Sequence, residues 1–242
     1  MHFVKKHMPL VHKGTRTSAP GAARWRPDNT LPAALAHPRR PDTVQRILRA
    51  AEENFAERGM AGARIGAIAR SARVNKALLY YYFAGKEELH RFTLKTLFQQ
   101  LRAQTVAALD RPGSPREQIL RYINGYFDFM MAHPNYPRLF ERELMSQEPR
   151  LVGLVKEHLR PLHLRLTAVI RAGIAKGEFR RVDPRHTLFT LVAITVFYFS
   201  AAPVLTELWQ CNPLAPRRVA ERRRAILDFV EHALFLPPAR KR

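Results

Sequence analysis

Residues 64–86 read RIGAIARSARVNKALLYYYFAGK, a stretch with five basic residues and no acidic one. Apolar residues at helical spacing predict a first short helix. Asn75 is a good N-cap for a second, because its side-chain oxygen can accept hydrogen bonds from the next turn. Leu79 and Phe83, four residues apart, are expected to face inward. The outer face is then left to Lys76, Ala77, Tyr80 and Tyr81. Two short helices of this kind are typical of a helix-turn-helix, whose second helix enters the major groove of DNA.

The same motif extends along the chain in both directions. Its members are Ile47, Leu48, Ala50, Ala51, Phe55-Ala56-Glu57, Gly59, Gly62, Ile68-Ala69, Val74-Asn75-Lys76, Leu79-Tyr80-Tyr81-Tyr82-Phe83 and Gly85-Lys86-Glu87-Glu88-Leu89. In this register, residues 43–90 resemble the DNA-binding domain of the TetR family of transcriptional regulators. The resemblance implies that Tyr80 and Lys86 touch DNA phosphates and that residues 76–81 face the groove.

Two positions depart from the family pattern. The family usually has glycine where this chain has Arg73, and a left-handed backbone there would cost about 1 kcal/mol unless the turn differs. The family also favours Thr or Ser where this chain has Ala63-Arg64, so a cap and a phosphate contact are lost. Arg64 and Arg73 are interpreted either as replacement phosphate contacts or as ordinary solvated charges. The expected DNA-binding set is Arg64, Arg73, Asn75, Lys76, Ala77, Tyr80, Tyr81 and Lys86.

Charge and composition indicate an acidic partner. The chain has 242 residues and a formal net charge of +21, and nucleic acid is the usual partner of so basic a protein. Residues 1–41 hold eight basic residues against one aspartate, and we expect them to be a disordered basic arm. That arm either holds DNA phosphates or is simply solvated; a transit peptide and a later start at Met8 are the other interpretations. Residues 237–242 are predicted to be a disordered basic tail.

The compartment is inferred from cysteine usage and hydropathy. Cys211 is the single cysteine, so no internal disulfide can form and a reducing environment fits. The longest apolar run, residues 188–202, is short and interrupted by hydroxyl side chains, so we expect no membrane span. A soluble, cytoplasmic protein is predicted.

Helical periodicity runs through the remainder of the chain and predicts an all-α, two-domain protein. Residues 42–88 form the DNA-binding domain, in which Asp42 caps the first helix and Gly59 ends it. Residues 89–236 form a larger helical domain for ligand binding and dimerisation. The predicted helices beyond the DNA-binding domain are 86–109, 116–132, 138–146, 150–176 with a bend at Pro161, 183–202 and 216–236. The helix over 183–202 is apolar nearly all round, so we expect it to be buried on both sides.

The second domain is rich in aromatic residues and methionine. Apolar stripes normally face a core, but the TetR resemblance implies a ligand cavity between these helices. The expected lining is Phe98, Tyr126, Phe129, Met130, Phe140, Glu143, His163, Thr195 and Tyr198. Beyond residue 110 the chain resembles the pyrimidine-catabolism regulator subgroup through Tyr136-Pro137 and Val182-Asp183-Pro184, which does not name a ligand.

Metal and enzyme chemistry are not supported. His158 and His163 are five residues apart, whereas two metal ligands on one helix are usually three or four residues apart. Including His186 as a third candidate ligand does not change this spacing. We therefore expect no metal and no cofactor. The sequence shows no nucleophile–base pair, no phosphate-binding glycine loop and no paired carboxylates in an apolar setting, so an enzyme is not expected.

The function favoured by these patterns is a homodimeric, TetR-like repressor that a small-molecule effector releases from a palindromic DNA operator. Two-fold pairing is the usual way for a single helix-turn-helix to reach useful specificity. The predicted dimer interface is a four-helix bundle that includes Phe197, Ile226, Phe229, Val230 and Ala233. The alternative is an architectural or adaptor DNA-binding protein of the same fold without a small ligand. Effector, operator and the sign of regulation stay open.

Overall fold

The computed structural model describes residues 41–146 and 149–237, and these ranges are built from helices. In chain order they are α1 (Pro41–Gly62), α2 (Ile65–Ser71), α3 (Lys76–Tyr82), α4 (Lys86–Asp110), α5 (Pro115–Ala132), α6 (Tyr136–Ser146), α7 (Pro149–Leu154), a π-helical segment (Val155–Leu159), α8 (Arg160–Ala175), α9 (Pro184–Ser200), α10 (Ala202–Trp209) and α11 (Pro216–Leu234). Apart from an isolated bridge between Phe179 and Phe235, these ranges contain no strand. The predicted all-α class is confirmed. The predicted basic arm and tail lie outside the described residues, except for residues 41 and 237.

Helices α1 to α3 form the head of the molecule. Their apolar stripes meet in a core in which Phe55, Ile68 and Leu79 are fully buried. Asp42 lies in the first turn of α1 instead of capping it, because the helix already includes the preceding proline. Gly59 interrupts α1 at a left-handed φ of 66°, and one further turn follows before the helix ends. The predicted stop at Gly59 is therefore a kink.

Helix α4 joins the head to the helical body without a break. Its buried residues begin at Leu89, beside α1, and continue to Leu109, which packs in the body. Helix α5 runs back along α4 after a turn that Ser114 and Glu117 close as a capping box. In this box the Glu117 N–H donates to Ser114 Oγ at 3.2 Å, and the Ser114 N–H donates to Glu117 Oε2 at 2.8 Å. Both bonds satisfy backbone donors that a helix start would leave free.

The single helix predicted over 150–176 is divided by the π-helical segment. Pro161 stands in the first turn of α8, immediately after that segment. Proline lacks the N–H that would hydrogen-bond one turn back, so the helix loses a regular bond at this point. The observed widening, instead of a simple bend, is one way to accommodate the lost bond.

The last helices correct one prediction. Helix α9 is not buried on both sides, because Phe189 and Phe197 are 74% and 70% exposed. The helix predicted to end at residue 202 ends at Ser200, and Pro203 lies in the first turn of α10, which is bent by 66° from α9. No single helix in the described ranges is long and apolar enough to cross a membrane, although α9 and α10 pass that test when they are taken together as a bent pair.

Candidate nucleic-acid interface and helical body

The turn between α2 and α3 has the backbone of a helix-turn-helix. Arg73 takes the left-handed conformation, with φ 55°. Its N–H donates to the Arg70 carbonyl at 3.0 Å, and the Val74 N–H donates to the Ala69 carbonyl at 3.0 Å. These bonds end α2 sharply and direct the chain into α3. The sequence left two alternatives for Arg73, a strained left-handed backbone or a different turn. The structure has the left-handed backbone.

Helix α3 presents a small polar and aromatic surface. Asn75 caps it, since the Leu78 N–H donates to the Asn75 side-chain oxygen at 2.6 Å. The carboxamide oxygen is therefore engaged in the helix itself. The side chains that stay exposed are Lys76, Ala77, Tyr80 and Tyr81. The predicted inward positions, Leu79 and Phe83, are fully buried.

A cleft of about 520 Å³ lies beside this surface. Arg64, Arg70, Lys76 and Lys86 line it together with the Tyr80 ring, and its lining includes no carboxylate. Lys86 Nζ donates to the Ala61 carbonyl at 3.3 Å, which holds the ammonium at the end of α1. Four positive charges around one cleft suit a phosphate backbone, whose binding depends on cationic contacts.

The structure brings together four residues of the predicted DNA-binding set and adds one. Arg64, Lys76, Tyr80 and Lys86 share the cleft, while Arg73 is exposed in the adjacent turn. Arg70 is the addition, because its side chain lines the same cleft. The signal for it was present in the run of five basic residues, but the DNA-facing surface was inferred mainly from the second helix.

The helical body holds an aromatic cluster in which Phe98, Phe129, Tyr136 and Phe140 pack ring against ring. Phe98 lies 6.2 Å from Tyr136 and 5.8 Å from Phe140 between ring centroids, and Phe129 lies 5.0 Å from Tyr136. Met130 is also fully buried in the core. Three helices, α4, α5 and α6, therefore meet at one cluster. Tyr136 was not in the predicted pocket set; in the sequence it carried, with Pro137, only the resemblance to the pyrimidine-catabolism regulator subgroup.

Buried tyrosines supply polar groups to this region. Burial raises the pKa of Tyr126, and a hydrogen bond from Tyr136 partly opposes the rise. Burial also raises the pKa of Tyr136 and of Tyr122. All three phenols therefore stay protonated at neutral pH, and Tyr136 donates a hydrogen bond to the Tyr126 oxygen.

Other predicted pocket residues have different surroundings. His163, in the first turn of α8, is exposed, and the adjacent Leu162 takes the buried position. The assignment of His163 to the pocket is therefore corrected. The Tyr198 hydroxyl donates to the Pro213 carbonyl at 2.5 Å, so this residue faces the loop before α11. The Thr195 hydroxyl is buried and donates to the Leu191 carbonyl at 2.9 Å within α9.

Helix α6 holds the head at a second place besides α4. The Arg142 guanidinium donates to the Ala56 and Glu57 carbonyls near the kink of α1, each at 2.9 Å. The next residue, Glu143, lies with Oε1 3.2 Å from His90 Nε2 of α4, and both side chains are buried. Glu143 therefore serves the junction between head and body instead of the predicted pocket.

A second His–Glu pair crosses the same junction. Glu52 of α1 has Oε2 3.8 Å from Nδ1 of His133, which follows α5. The His133 ring packs on Phe129 at 4.6 Å, and the His90 ring packs on Phe55 at 4.5 Å, edge to face. Histidine–carboxylate and aromatic contacts thus connect α1 of the head with the aromatic cluster of the body.

The predicted dimer residues fall into two groups. Phe197 of α9 and Phe229 of α11 are 70% and 56% exposed, and Ala233, four residues after Phe229, is also exposed. Ile226 and Val230 are 3% and 1% exposed because they point into the chain's own core. Their assignment to the interface is corrected, since residues four apart on α11 form the stripe that packs inward. Other exposed apolar side chains on α9 and α10 are Phe189, Val204, Leu208 and Trp209.

Two family models match this chain. Residues 47–91 match the family described as bacterial regulatory proteins, tetR family, and residues 115–230 match a Tetracyclin repressor-like C-terminal domain. The first match covers the helix-turn-helix and its cleft. The second covers α6, most of α11 and three members of the aromatic cluster, Phe129, Tyr136 and Phe140.

Curated proteins and solved structures agree with these matches. The chain is 31% identical over 157 residues to the HTH-type transcriptional regulator RutR of Escherichia coli, covering 65% of this chain and 74% of that protein. It is 36% identical over 154 residues to the HTH-type transcriptional repressor SCO4008 of Streptomyces coelicolor, covering 63% and 76%. The ketosteroid transcriptional regulator KstR2 of Mycobacterium tuberculosis shares the fold with a TM-score of 0.67, at 21% identity over 81% of this chain and 97% of that one.

Proposed function

The chain belongs to the TetR family of bacterial regulatory proteins, and from this premise we propose that it is a homodimeric repressor released from a palindromic operator by a small-molecule effector. It is a transcriptional regulator and not an enzyme. We assign DNA binding to residues 42–88 and effector binding and dimerisation to residues 89–236. The boundary falls inside α4, so the two functions share one helix. A cytoplasmic location follows from action on DNA.

The cationic cleft is the observation that carries the DNA-binding half of this proposal. Four positive side chains surround it, and Tyr81 stands exposed on the neighbouring face of α3. Phosphate contacts from Arg64, Arg70 and Lys86 would fix the head on the duplex without reading its sequence. Lys76 and Tyr81, on the outer face of α3, are then available for base edges in the major groove.

The exposed apolar side chains of α9, α10 and α11 support a homodimer. Large aromatic residues such as Phe197 and Phe229 are rarely left in water together on a monomer. A second copy related by a two-fold axis would cover the same residues on both chains. The pairing would also place two α3 helices for the two halves of a palindrome.

The contacts of α4 and α6 support regulation by an effector. Both helices reach the aromatic cluster, through Phe98 and Phe140, and both also hold the head, through His90 and Arg142. A ligand that moves either helix would change the spacing of the recognition helices across the dimer. Operator half-sites one turn apart require about 34 Å between centres, so a few ångströms of spread would weaken binding. Helix α4 is thus one connection between the aromatic cluster and the head, and α6 is a second.

One observation favours the alternative of an architectural or adaptor protein without an effector. The aromatic cluster is closed, and Phe98, Phe129 and Met130 are fully buried against their neighbours. A regulator of this design has to open the cluster when its effector binds. An architectural protein would keep it closed.

The proposal is tested by selecting binding sites from random-sequence DNA with the full chain. We expect an enriched site with two inverted half-sites whose centres are one helical turn, or a multiple of one turn, apart. Small molecules found by thermal-shift screening should then weaken operator binding by about 1–3 kcal/mol, and the operator should weaken the ligand by the same factor. An enriched site without two-fold symmetry contradicts the dimer, and ligands that bind without changing operator affinity support the alternative.

A further inference from the structure

His158 is a buried polar side chain to which the contacts described so far give no role. It lies on the π-helical segment between α7 and α8 and is 2% exposed. Neither ring nitrogen has a hydrogen-bond partner among the described residues. Its Nε2 is 3.5 Å from Glu157 Oε1, but the pair does not have the alignment of a hydrogen bond.

An unsatisfied buried group of this kind costs about 1–3 kcal/mol. The buried threonines of the body avoid that cost, because Thr105, Thr167 and Thr195 each donate to a carbonyl in the preceding turn. His158 therefore differs from these buried threonines. It also occupies a π-helical turn, a feature that occurs often at functional sites.

Positive charges exceed negative ones around this ring. Burial lowers the pKa of His158; Glu157 acts in the opposite direction, and Lys95 and Arg102 of α4 lower the pKa further. The imidazole is therefore neutral at neutral pH and offers one N–H donor and one acceptor. Lys95 Nζ lies 3.7 Å from Glu157 Oε1, so that carboxylate is shared between the two neighbours. Two cations against one carboxylate leave a local excess suited to an anion.

The same face of α4 links His158 to the aromatic cluster. Lys95, Phe98 and Arg102 follow one another at spacings of three and four residues, which places them along one side of the helix. The Phe98 ring packs against Phe140, 5.8 Å away, at right angles. A ligand lying along this face would meet an N–H donor and two cations at one end and aromatic rings at the other.

We propose that His158 is the polar anchor of the effector site and that the effector is a small carboxylic acid with an apolar ring. Its carboxylate accepts a hydrogen bond from the His158 imidazole beside Lys95 and Arg102, and its ring enters the cluster at Phe98. This assignment rests on the proposed function. Because the cluster is closed, the ligand has to move α4 away from the π-helical segment, and α4 carries that movement to the head.

The test uses the full chain with ¹⁵N-labelled histidine, and benzoate and the uncharged benzamide as probes. The ring nitrogens are assigned by comparison with His158→Gln. We expect benzoate to shift the His158 resonances and to bind at least about tenfold more tightly than benzamide, and His158→Gln to weaken benzoate binding about 10- to 100-fold, as for a lost hydrogen bond to a charged group. Lys95→Met should weaken benzoate more than benzamide. His163→Gln, exposed five residues further on, is the matched control and should bind like the wild type.

Two results would overturn the assignment. The first is that benzoate at roughly 20 mM, a concentration at which weak millimolar binding is detected, leaves the His158 resonances unchanged. That result is expected if the ring meets only internal water. Equal affinities for benzoate and benzamide would show that the site does not recognise a carboxylate. If His158→Gln does not fold, His158→Asn supplies the assignment, and the comparison of benzoate with benzamide needs the wild-type chain alone. Operator affinity is measured separately. If benzoate binds at His158 and operator affinity does not change, His158 is not part of an effector site. If the chain selects no operator at all, the proposed function is contradicted, but the measured benzoate binding stays valid.

Discussion

Arg73 is unfavourable for the stability of the fold but places a positive charge beside the proposed DNA-binding surface. Its φ of 55° lies in the left-handed region, where a side chain with Cβ is strained and glycine is not. Its guanidinium is exposed in the turn next to the recognition helix. A glycine would relieve the strain and would remove the positive charge.

We expect Arg73→Gly to raise the free energy of unfolding by about 0.5–1 kcal/mol, the relief of strain less the added freedom of the unfolded chain. Arg73→Ala keeps the strain and removes the same charge, so its stability should match the wild type. Urea unfolding measures both. If Arg73 contacts a phosphate, the two variants should lose DNA affinity equally and flatten the salt dependence by about one unit. Equal stability of the Gly and Ala variants would contradict the strain at position 73. Wild-type DNA affinity in both variants would mean that the Arg73 guanidinium is a solvated charge without a phosphate contact.

At the scale of the element, α6 is the second helix, besides α4, that holds the head. Arg142 donates to two carbonyls near the kink of α1, and the same helix carries Phe140 of the aromatic cluster. Backbone carbonyls at a helix end lack partners within the helix, so an arginine from another helix stabilises them. The contact therefore connects the end of α1 to the cluster through one rigid helix.

Replacing Arg142 with Ala should loosen the end of α1 while leaving the body folded. Two charge-assisted hydrogen bonds disappear, and bonds of this kind contribute about 1.5–3 kcal/mol each, with exposure reducing the figure. We expect faster amide hydrogen exchange in α1 after residue 54 and in α2, measured by mass spectrometry. Arg138→Ala, exposed on the same helix, is the control and should exchange like the wild type. Unchanged protection in Arg142→Ala would show that α4 alone holds the head.

At the scale of the whole molecule, α11 separates the chain's own core from the proposed dimer surface. Ile226 is 3% exposed and Phe229, three residues later, is 56% exposed. The two residues make a matched pair, because the same substitution at each should have different consequences.

Phe229→Asp should give a folded monomer, since the charge is buried only when a second copy covers it. Burying an unpaired carboxylate costs several kcal/mol, so the dimer dissociation constant should rise at least about 100-fold, and operator affinity should fall with it. Ile226→Asp places the same charge in the core and should unfold the chain. Sedimentation velocity at micromolar concentration and circular dichroism distinguish the two outcomes. A wild-type monomer at that concentration, or a Phe229→Asp dimer with normal operator affinity, would refute the interface.

The amino-acid sequence alone determined the helices of this protein and the character of its head. N-caps at Asn75 and Asp183, prolines at helix starts and a regular apolar spacing act over one or two turns, so they can be read without knowing the fold. The spacing of Leu79 and Phe83 predicted which face of α3 turns outward. The resemblance to the family gave the left-handed residue at position 73 as one of two alternatives.

Only the tertiary structure decided which apolar residues face the chain's own core and which remain exposed. Periodicity marks a stripe on α9 and on α11, but the edge of a stripe is buried or exposed according to the helices that pack beside it, which come from distant parts of the chain. Ile226 and Phe229 were therefore grouped together by sequence and separated by packing. The same reason applies to Arg142, whose partners lie 85 and 86 residues away. It also applies to His158, because only the packed structure shows that its ring has no hydrogen-bond partner among the described residues.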